Sequence, residues 1–189
     1  LEFRRVLFRS TMDSLQMSES TIGNTLNLNL DDMFFKYGIR LNSNLLLDIN
    51  SAQIALRTGQ IGGQAQIEFF PWYYFPLLNA GSDNSIVKNI NPIKADFISS
   101  IDPVMSDSDV QKIPLLKTSN YTNISSTPAY ITLGMLRQKP DQRMFAKKSQ
   151  NVAYLLKGEF ESLYANRMTT SIMESKEIDS KLFEKRVSI

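Results

Sequence analysis

The sequence FFPWYYFPLL, at positions 69–78, holds six aromatic residues and two prolines in ten positions. It continues an alternating stretch in which Ala65, Ile67 and Phe69 occupy every second position, separated by glutamine and glutamate. Apolar residues with a period of two are typical of a half-buried strand. The pattern therefore predicts a strand whose alanine, isoleucine and Phe69 side chains point inward.

Two prolines, Pro71 and Pro76, lie in the second half of this stretch. Pro71 has no backbone N–H and is expected to end the hydrogen-bond ladder there. Pro76 restricts Phe75 to extended geometry. The segment PWYYFP is therefore predicted to be a stiff, extended exit from the strand that lies at the edge of the sheet.

Upstream, the glycine pair in IGGQ, at 61–64, predicts a turn between two strands. The same four residues resemble the glycine-rich signature of ABC ATPases. That signature needs a following helix, so that backbone N–H groups point at a phosphate, and here an alternating strand follows. The turn is the favoured interpretation.

The aromatic cluster allows two interpretations. Trp72, Tyr73 and Tyr74 are consecutive, so their side chains cannot all point to one face of a strand. One interpretation is a strand end packed on a neighbouring element. The other is a surface for a protein partner or for a glycan, because Tyr and Trp combine a large apolar area with a polar tip. These three residues are the candidate site, with Trp72 expected to be only partly buried.

The remaining segments predict an α/β fold, a mixed sheet with few short helices. A helix is predicted to begin at Asp31 and Asp32 and to end at Gly38. Strands are predicted at 44–49, 95–101, 112–119, 130–134 and 152–158, a short helix at 141–150, and loops at 11–25, 79–92, 102–111 and 120–129. The apolar runs in 112–119 and 152–158 do not alternate, which is typical of central strands covered on both faces.

The chain divides into three parts. Residues 1–10, LEFRRVLFRS, reproduce a common sequencing-library adapter in one reading frame, and we interpret them as an artefact. Residues 11–167 form the predicted domain, a fragment of a longer protein. Residues 168–189 are charged and lose strand periodicity, so they are interpreted as a linker or an incomplete element. No uninterrupted apolar run approaches the roughly 18 residues that a membrane span needs.

Net charge argues against a nucleic-acid partner. The chain has 21 basic and 19 acidic residues, and residues 1–10 hold three arginines and one glutamate, which leaves 18 of each. A neutral segment carries no electrostatic footprint for nucleic acid.

The absence of histidine and cysteine restricts the chemistry. Ser-His-Asp and Cys-His centres and zinc sites with nitrogen and sulfur ligands are excluded within this sequence. Carboxylate pairs remain, with Asp31, Asp32 and Asp48 as candidates for acid–base catalysis. Carboxylates at a helix start are usually capping residues. We therefore expect a protein that is not an enzyme and that has no cofactor and no metal, with a carboxylate-only hydrolase as an alternative.

An ordered set of motifs resembles one protein family. The motifs, between positions 12 and 167, are MDSL, LNLDDMFFKYGIRLN, LLLDI, PWYYFPLL, FISSID, LLKTS and VAYLLKGEFESLYANR. In order and spacing they resemble the gliding-motility-associated ABC transporter substrate-binding proteins of the GldG type. These proteins form part of the bacterial ABC-transporter auxiliary family.

The resemblance implies a membrane-anchored protein of Bacteroidetes-type bacteria, with this domain on the periplasmic side of the inner membrane. It implies an ABC ATPase and a permease as partners in gliding motility. It also implies a fold related to glutamine-amidotransferase-like, or flavodoxin-like, α/β domains. The family has no assigned catalytic residues, so the resemblance assigns none here. A carbohydrate- or peptidoglycan-binding module is the alternative function.

Overall fold

Sheet dominates the part of the chain that the computed structural model describes, namely residues 20–26, 28–105, 110–137, 139–160 and 186–188. Its helices are short: α1 (Asp31–Lys36) and two 3-10 helices, Leu133–Arg137 and Gln142–Phe145. The strands are β1 (Ser20–Gly23), β2 (Ile39–Leu41), β3 (Asn44–Asp48), β4 (Ser51–Ile61), β5 (Gln64–Ala80), β6 (Ile93–Lys94), β7 (Ile101–Pro103), β8 (Gln111–Lys117), β9 (Thr122–Ser126), β10 (Ala129–Thr132), β11 (Asn151–Phe160) and β12 (Arg186–Ser188).

One six-stranded sheet and three strand pairs make up this architecture. The six-stranded sheet has the order β12-β11-β8-β5-β4, and β6 also pairs with β5. The pairs are β1 with β10, β2 with β7, and β3 with β9. Among the described residues every strand pairing is antiparallel. The prediction of a sheet with few short helices is therefore confirmed, but the described strands form antiparallel pairs and not a mixed sheet.

Helix α1 forms where the sequence predicts it. Asp31 and Asp32 stand in its first turn and Lys36 in its last, which complements the helix dipole at both ends. Gly38 follows with a φ of 84°, a left-handed conformation that glycine adopts without a steric penalty. The helix lies at the surface, since none of its residues is fully buried.

Strand β3 forms the centre of the core. Leu45, Leu46 and Leu47 are all buried, which matches the apolar run without alternation. The strand pairs with β9 and packs against β5. A strand that is covered on both faces needs no polar residues at alternate positions.

The glycine pair forms the predicted turn between two strands. Gly62 and Gly63 have φ values of 59° and 83°. Two consecutive residues with positive φ define a type I′ turn, the tight connection that matches the twist of a hairpin. It joins β4 directly to β5, with Ile61 opposite Gln64.

The regular ladder between β4 and β5 stops at Pro71, as predicted, but the strand itself does not end there. Strand β5 runs on to Ala80, and Pro71 lies opposite Gln53 of β4. The strand therefore tolerates a residue without an N–H at this position. The predicted edge location holds in part: β8 and β6 pair with β5 only at residues 77–80, and irregular chain lies beside PWYYFP, with Phe97 N donating to Tyr74 O at 3.0 Å. The extended geometry predicted for PWYYFP is confirmed.

The prediction of central strands is confirmed in part for β8 and β11. Leu115 and Leu116 of β8 are buried in a second core cluster with Leu78. Val152 and Leu155 of β11 are only half-buried and pack against that cluster. Both strands are thus covered only in part: β8 buries Leu115 and Leu116, and β11 buries Ala153 and Tyr154.

Three predicted boundaries differ from the structure. The strand expected at 95–101 is irregular chain, and only Ile101–Pro103 forms a strand. The loop expected at 120–129 contains β9, and the loop expected at 11–25 contains β1. Both unpredicted strands are rich in Ser, Thr, Asn or Gly, residues that local rules assign to turns. The short helix expected at 141–150 is the 3-10 helix Gln142–Phe145.

Residues 1–19 and 161–185 lie outside the described residues, so the interpretations of 1–10 and of most of 168–189 stay predictions.

Candidate interaction surface

The three aromatic residues singled out by the sequence are buried. Trp72 is 0% exposed, and Tyr73 and Tyr74 are 6% and 4% exposed. The prediction that Trp72 is partly exposed is therefore wrong. As folded, these side chains form no surface on which a glycan or a partner could stack.

A mismatch between β4 and β5 explains this burial. Ser51 lies opposite Pro76, and the next aligned pair is Gln53 opposite Pro71. Between these two pairs β5 has four residues, 72–75, and β4 has only Ala52. The extra residues of β5 therefore lie outside the ladder. A bulged segment is free of strict alternation, so three consecutive aromatic side chains can all enter the core.

The buried rings pack on one another and on distant parts of the chain. The ring centroid of Trp72 lies 5.5 Å from that of Tyr74, and the Tyr73 ring meets Phe145 edge-on at 5.4 Å. Phe97 lies 5.8 Å from Tyr74 and 5.2 Å from Phe75. Such tilted and edge-to-face pairs add to the stabilisation from burial alone. The aromatic stretch is therefore the main core of the domain.

Burial affects the ionisation of the two tyrosine hydroxyls and the hydrogen bonding of the tryptophan N–H. It raises the pKa of Tyr74 and of Tyr73, because the charged phenolate is disfavoured away from water. The indole Nε1 of Trp72 has no acceptor within hydrogen-bond distance among the described residues. An unsatisfied buried donor costs about 1–3 kcal/mol.

The exposed apolar residues of this stretch are the two that were predicted to point inward. Ile67 is 58% exposed and Phe69 is 65% exposed. Ile67 lies directly opposite Arg57, and Phe69 lies directly opposite Ala55. Residues directly opposite one another share a face of the sheet. We call the face formed by Ala55, Arg57, Ile67 and Phe69 the outer face; all four residues are exposed.

The opposite face of the hairpin is polar towards its tip and apolar towards its base. Glu68 Oε1 accepts hydrogen bonds from Thr58 Oγ1 and Gln66 Nε2, both at 2.9 Å. Ile54 is partly buried against the aromatic core, and Phe70, directly opposite it, is half-buried. The hairpin thus turns one face to its own domain and leaves its outer face uncovered.

Asp48, a candidate for acid–base catalysis, is buried and fully engaged. Its Oδ1 accepts from Asn50 N at 2.8 Å and from Ser119 Oγ at 2.6 Å. Its Oδ2 accepts from Ser119 N at 2.7 Å and from Thr122 Oγ1 at 3.4 Å. A carboxylate that is 0% exposed and holds four donors ties β3 to the segment before β9. This is the geometry of a structural group.

Three further carboxylates are the candidates Asp31 and Asp32, and Asp102, which the sequence did not single out. Asp31 and Asp32 are exposed in the first turn of α1. Asp102 pairs with Arg40 at 3.0 Å and accepts from Asn42 Nδ2 at 2.9 Å, in a cluster that joins β2 to β7. In the part of the chain that the structure describes, no group of three or more acidic residues is arranged to hold a metal ion.

A family model described as an ABC-type uncharacterized transport system matches residues 8–185. The chain belongs to this ABC-transporter auxiliary family. The match covers most of the sequence, so the family indicates an auxiliary component of an ABC-type transport system. Neither a curated protein nor a solved structure matches the chain.

Within the described residues of this auxiliary protein, no helix is long and apolar enough to cross a membrane. The outer face of the β4–β5 hairpin is one exposed apolar feature of the described residues, and the opposed pair Ile22 and Tyr130 on β1 and β10 is another. A component that works within a multi-protein transporter needs contact surfaces, and uncovered apolar patches are typical of such surfaces.

The outer face of this auxiliary protein could not be predicted from the sequence, because it depends on one extra residue in β4, Thr58. From the turn, Gly59 lies opposite Gln66, but Arg57 lies opposite Ile67, so Thr58 is an extra residue in β4. Without this shift, Leu56 would lie opposite Phe69 and share its face. A one-residue shift moves every side chain to the opposite face. The apolar residues of β4 and of β5 therefore lie on different faces, and only the register reveals it.

Proposed function

We propose that this protein is a non-catalytic, extracytoplasmic auxiliary component of an ABC-type transporter of the gliding-motility, GldG type. It is anchored in the inner membrane through regions outside this sequence, with this domain on the periplasmic side. Its partners are the ATPase and the permease of that transporter. The observation that carries the proposal is the family match over residues 8–185, together with the ordered GldG-like motifs.

Two features of the chain support the non-catalytic part. The sequence contains neither histidine nor cysteine. Asp48 directs both oxygens at donors of its own domain, which leaves no lone pair aimed at a substrate. A hydrolase would need two carboxylates facing one another in a cleft. The glycan-binding alternative loses its main support with the burial of Trp72, Tyr73 and Tyr74.

The relation to glutamine-amidotransferase-like domains belongs to this proposal. Such domains are built on a parallel sheet, whereas the pairings among the described residues are antiparallel. The proposal therefore predicts that parallel strands lie elsewhere in the full-length protein, and that β4 and β5 form an antiparallel extension. A solved structure of the full-length protein tests this directly.

The experiment for the main proposal starts from the full-length gene and its neighbours. An ABC ATPase gene and a permease gene should be adjacent, and their products should co-purify from detergent extracts with the tagged auxiliary protein. Deletion of the gene should abolish gliding without slowing growth. A neighbourhood without transporter genes, or a deletion strain that glides normally, contradicts the proposal.

The location is tested separately. In spheroplasts, added protease should cleave this domain, while a cytoplasmic control protein stays intact. Protection of the domain until the inner membrane is lysed would contradict the periplasmic location.

A further inference from the structure

Among the described residues, no strand pairs with the outer edge of β4, which lies beside the exposed outer face. Strand β4 is the terminal strand of the six-stranded order in this part of the chain. In a strand with one partner, every second residue directs its N–H and C=O away from that partner. The regular run from Gln53 to Arg57 lies between two shifts of register, so alternate residues of this run offer an orderly set of unpaired backbone groups.

The opposite edge of the hairpin is less suitable for pairing. Strand β5 carries Pro71, which has no N–H to donate, and the strand bulges into the core immediately afterwards. Strand β4 carries no proline along its length. Edges without proline are the ones that accept an additional strand.

Arg57 indicates the charge of the added strand. Its side chain is exposed and has no ion pair or hydrogen-bond partner among the described residues. A strand beside β4 would place one of its own side chains next to Arg57 on the outer face. An acidic side chain there would complete an ion pair.

The residues beside Arg57 indicate where the added strand would carry apolar side chains. Ala55 is small and lies directly opposite Phe69, whose ring is exposed. An apolar side chain on an added strand would lie over Ala55 and against that ring. On the other face, the added strand would meet Ile54 and Leu56, which are half-buried.

A second copy of this chain does not fit the same requirements. Strand β4, SAQIALRTGQI, contains no acidic residue. Pairing β4 with β4 of another copy would therefore bring two arginines into one small interface without a counter-ion from either strand. Charge complementarity favours a different protein.

From these observations we infer that the edge of β4 at 53–57 binds an extended segment of a partner protein by strand addition. The segment is apolar and carries an acidic residue beside Arg57. This inference deepens the proposed transporter role and rests on it for the identity of the partner, but the binding mode follows from the geometry of β4 alone. Backbone hydrogen bonds would supply affinity, and the side chains beside Ala55 and Arg57 would supply specificity.

The test uses the full chain and a synthetic ten-residue peptide of alternating valine and threonine with one central glutamate. Alternate amides are N-methylated along one edge, so that the peptide cannot associate with itself. Titration is followed by ¹H–¹⁵N NMR. We expect saturable shifts at the amides of 53–57 and none at 111–117 in β8. Replacing the glutamate by lysine should weaken binding about two- to fivefold, the scale of an exposed ion pair.

Charge reversal provides the matched control. Arg57→Glu should reverse the preference, so that the lysine peptide binds more tightly than the glutamate peptide. Arg143→Glu, at another exposed arginine, should leave both affinities unchanged. Shifts centred on β5, or equal affinities of the two peptides for the wild-type chain, would overturn the assignment of the site to β4 and Arg57.

Two further outcomes would overturn the inference. One is the absence of saturable binding up to about 1 mM peptide, the range of very weak association. The other is concentration-dependent dimerisation of the chain alone in sedimentation, with protection of amides 53–57. Co-purification of the ATPase and permease is measured independently, so a failure of strand addition can be distinguished from a failure of the transporter role.

Discussion

Ala55 and Phe69 lie directly opposite each other on β4 and β5, and both side chains are exposed to solvent. Three residues further along β5, Trp72 is completely buried. Strand β5 therefore supplies both core residues and exposed apolar residues of the domain. The boundary between the two is the bulge that begins after Pro71.

This division predicts opposite responses to truncation. Trp72→Ala should lower the free energy of unfolding by about 3–5 kcal/mol, because it empties a large buried site. Phe69→Ala should change it by no more than about 0.5 kcal/mol, because the ring already contacts water. Urea denaturation measures both values. A large cost for Phe69→Ala would show that the outer face is covered within this domain.

Asp48 and Asp102 form a matched pair for testing the buried carboxylate. Asp48→Asn places an amide NH2 among groups that donate hydrogen bonds, and we expect a loss of about 1–3 kcal/mol or somewhat more. Asp102→Asn removes an exposed ion pair with Arg40 and should cost less than about 1 kcal/mol. Equal effects in thermal or urea denaturation would contradict the assigned structural role of Asp48.

Alkaline pH should destabilise the domain through its buried tyrosines. Burial raises the pKa of Tyr74 above the usual value of about 10, which the unfolded chain retains. Below pH 10 both states are protonated and the stability is complete. As pH rises from 10 through the folded pKa, the unfolded state ionises first and stability is lost.

A single substitution tests this pH dependence. Tyr74→Phe removes the ionisable phenol and should reduce the fall in stability above pH 10. Stability is measured by urea denaturation between pH 8 and 11. A Tyr74→Phe variant with an unaltered alkaline slope would show that other groups control it.

The type I′ turn of the hairpin can be tested by substitution of its glycines. Gly63 has a φ of 83°, so Gly63→Ala should cost about 1–2 kcal/mol from backbone strain. Gly59→Ala is the control, since its added Cβ would meet only Gln66 Oε1 at 3.6 Å. Comparable costs at the two positions would argue against a type I′ turn.

Local patterns in the sequence predicted the elements that local chemistry determines. Gly38 ends α1, the glycine pair forms the turn, and the run before Asp48 forms a buried strand. Strand β9, with the sequence TNISS, could not be predicted in this way. Its polar residues are held by pairing with β3, a long-range contact that no local rule contains.

The candidate site was missed for a related reason. Thr58, an extra residue of β4, shifts the register, so that Ile67 and Phe69 lie opposite Arg57 and Ala55 and not opposite Thr58 and Leu56. A bulge of one residue hardly changes the amino-acid composition of a strand, so composition does not predict it. The burial of three consecutive aromatic residues likewise depends on a mismatch with β4, which becomes visible only when the two strands are aligned.

The transporter role is tested most directly by the amount of ATPase and permease that co-purifies with the full-length protein. Wild-type protein should retain both subunits. Phe69→Ser on the outer face should reduce their recovery at least about fivefold, an effect on the scale of one interface residue worth about 1 kcal/mol. Tyr130→Ser, which alters an aromatic side chain of similar exposure (67%) on β10, should retain them. Recovery of neither subunit with the folded wild-type protein would contradict the account.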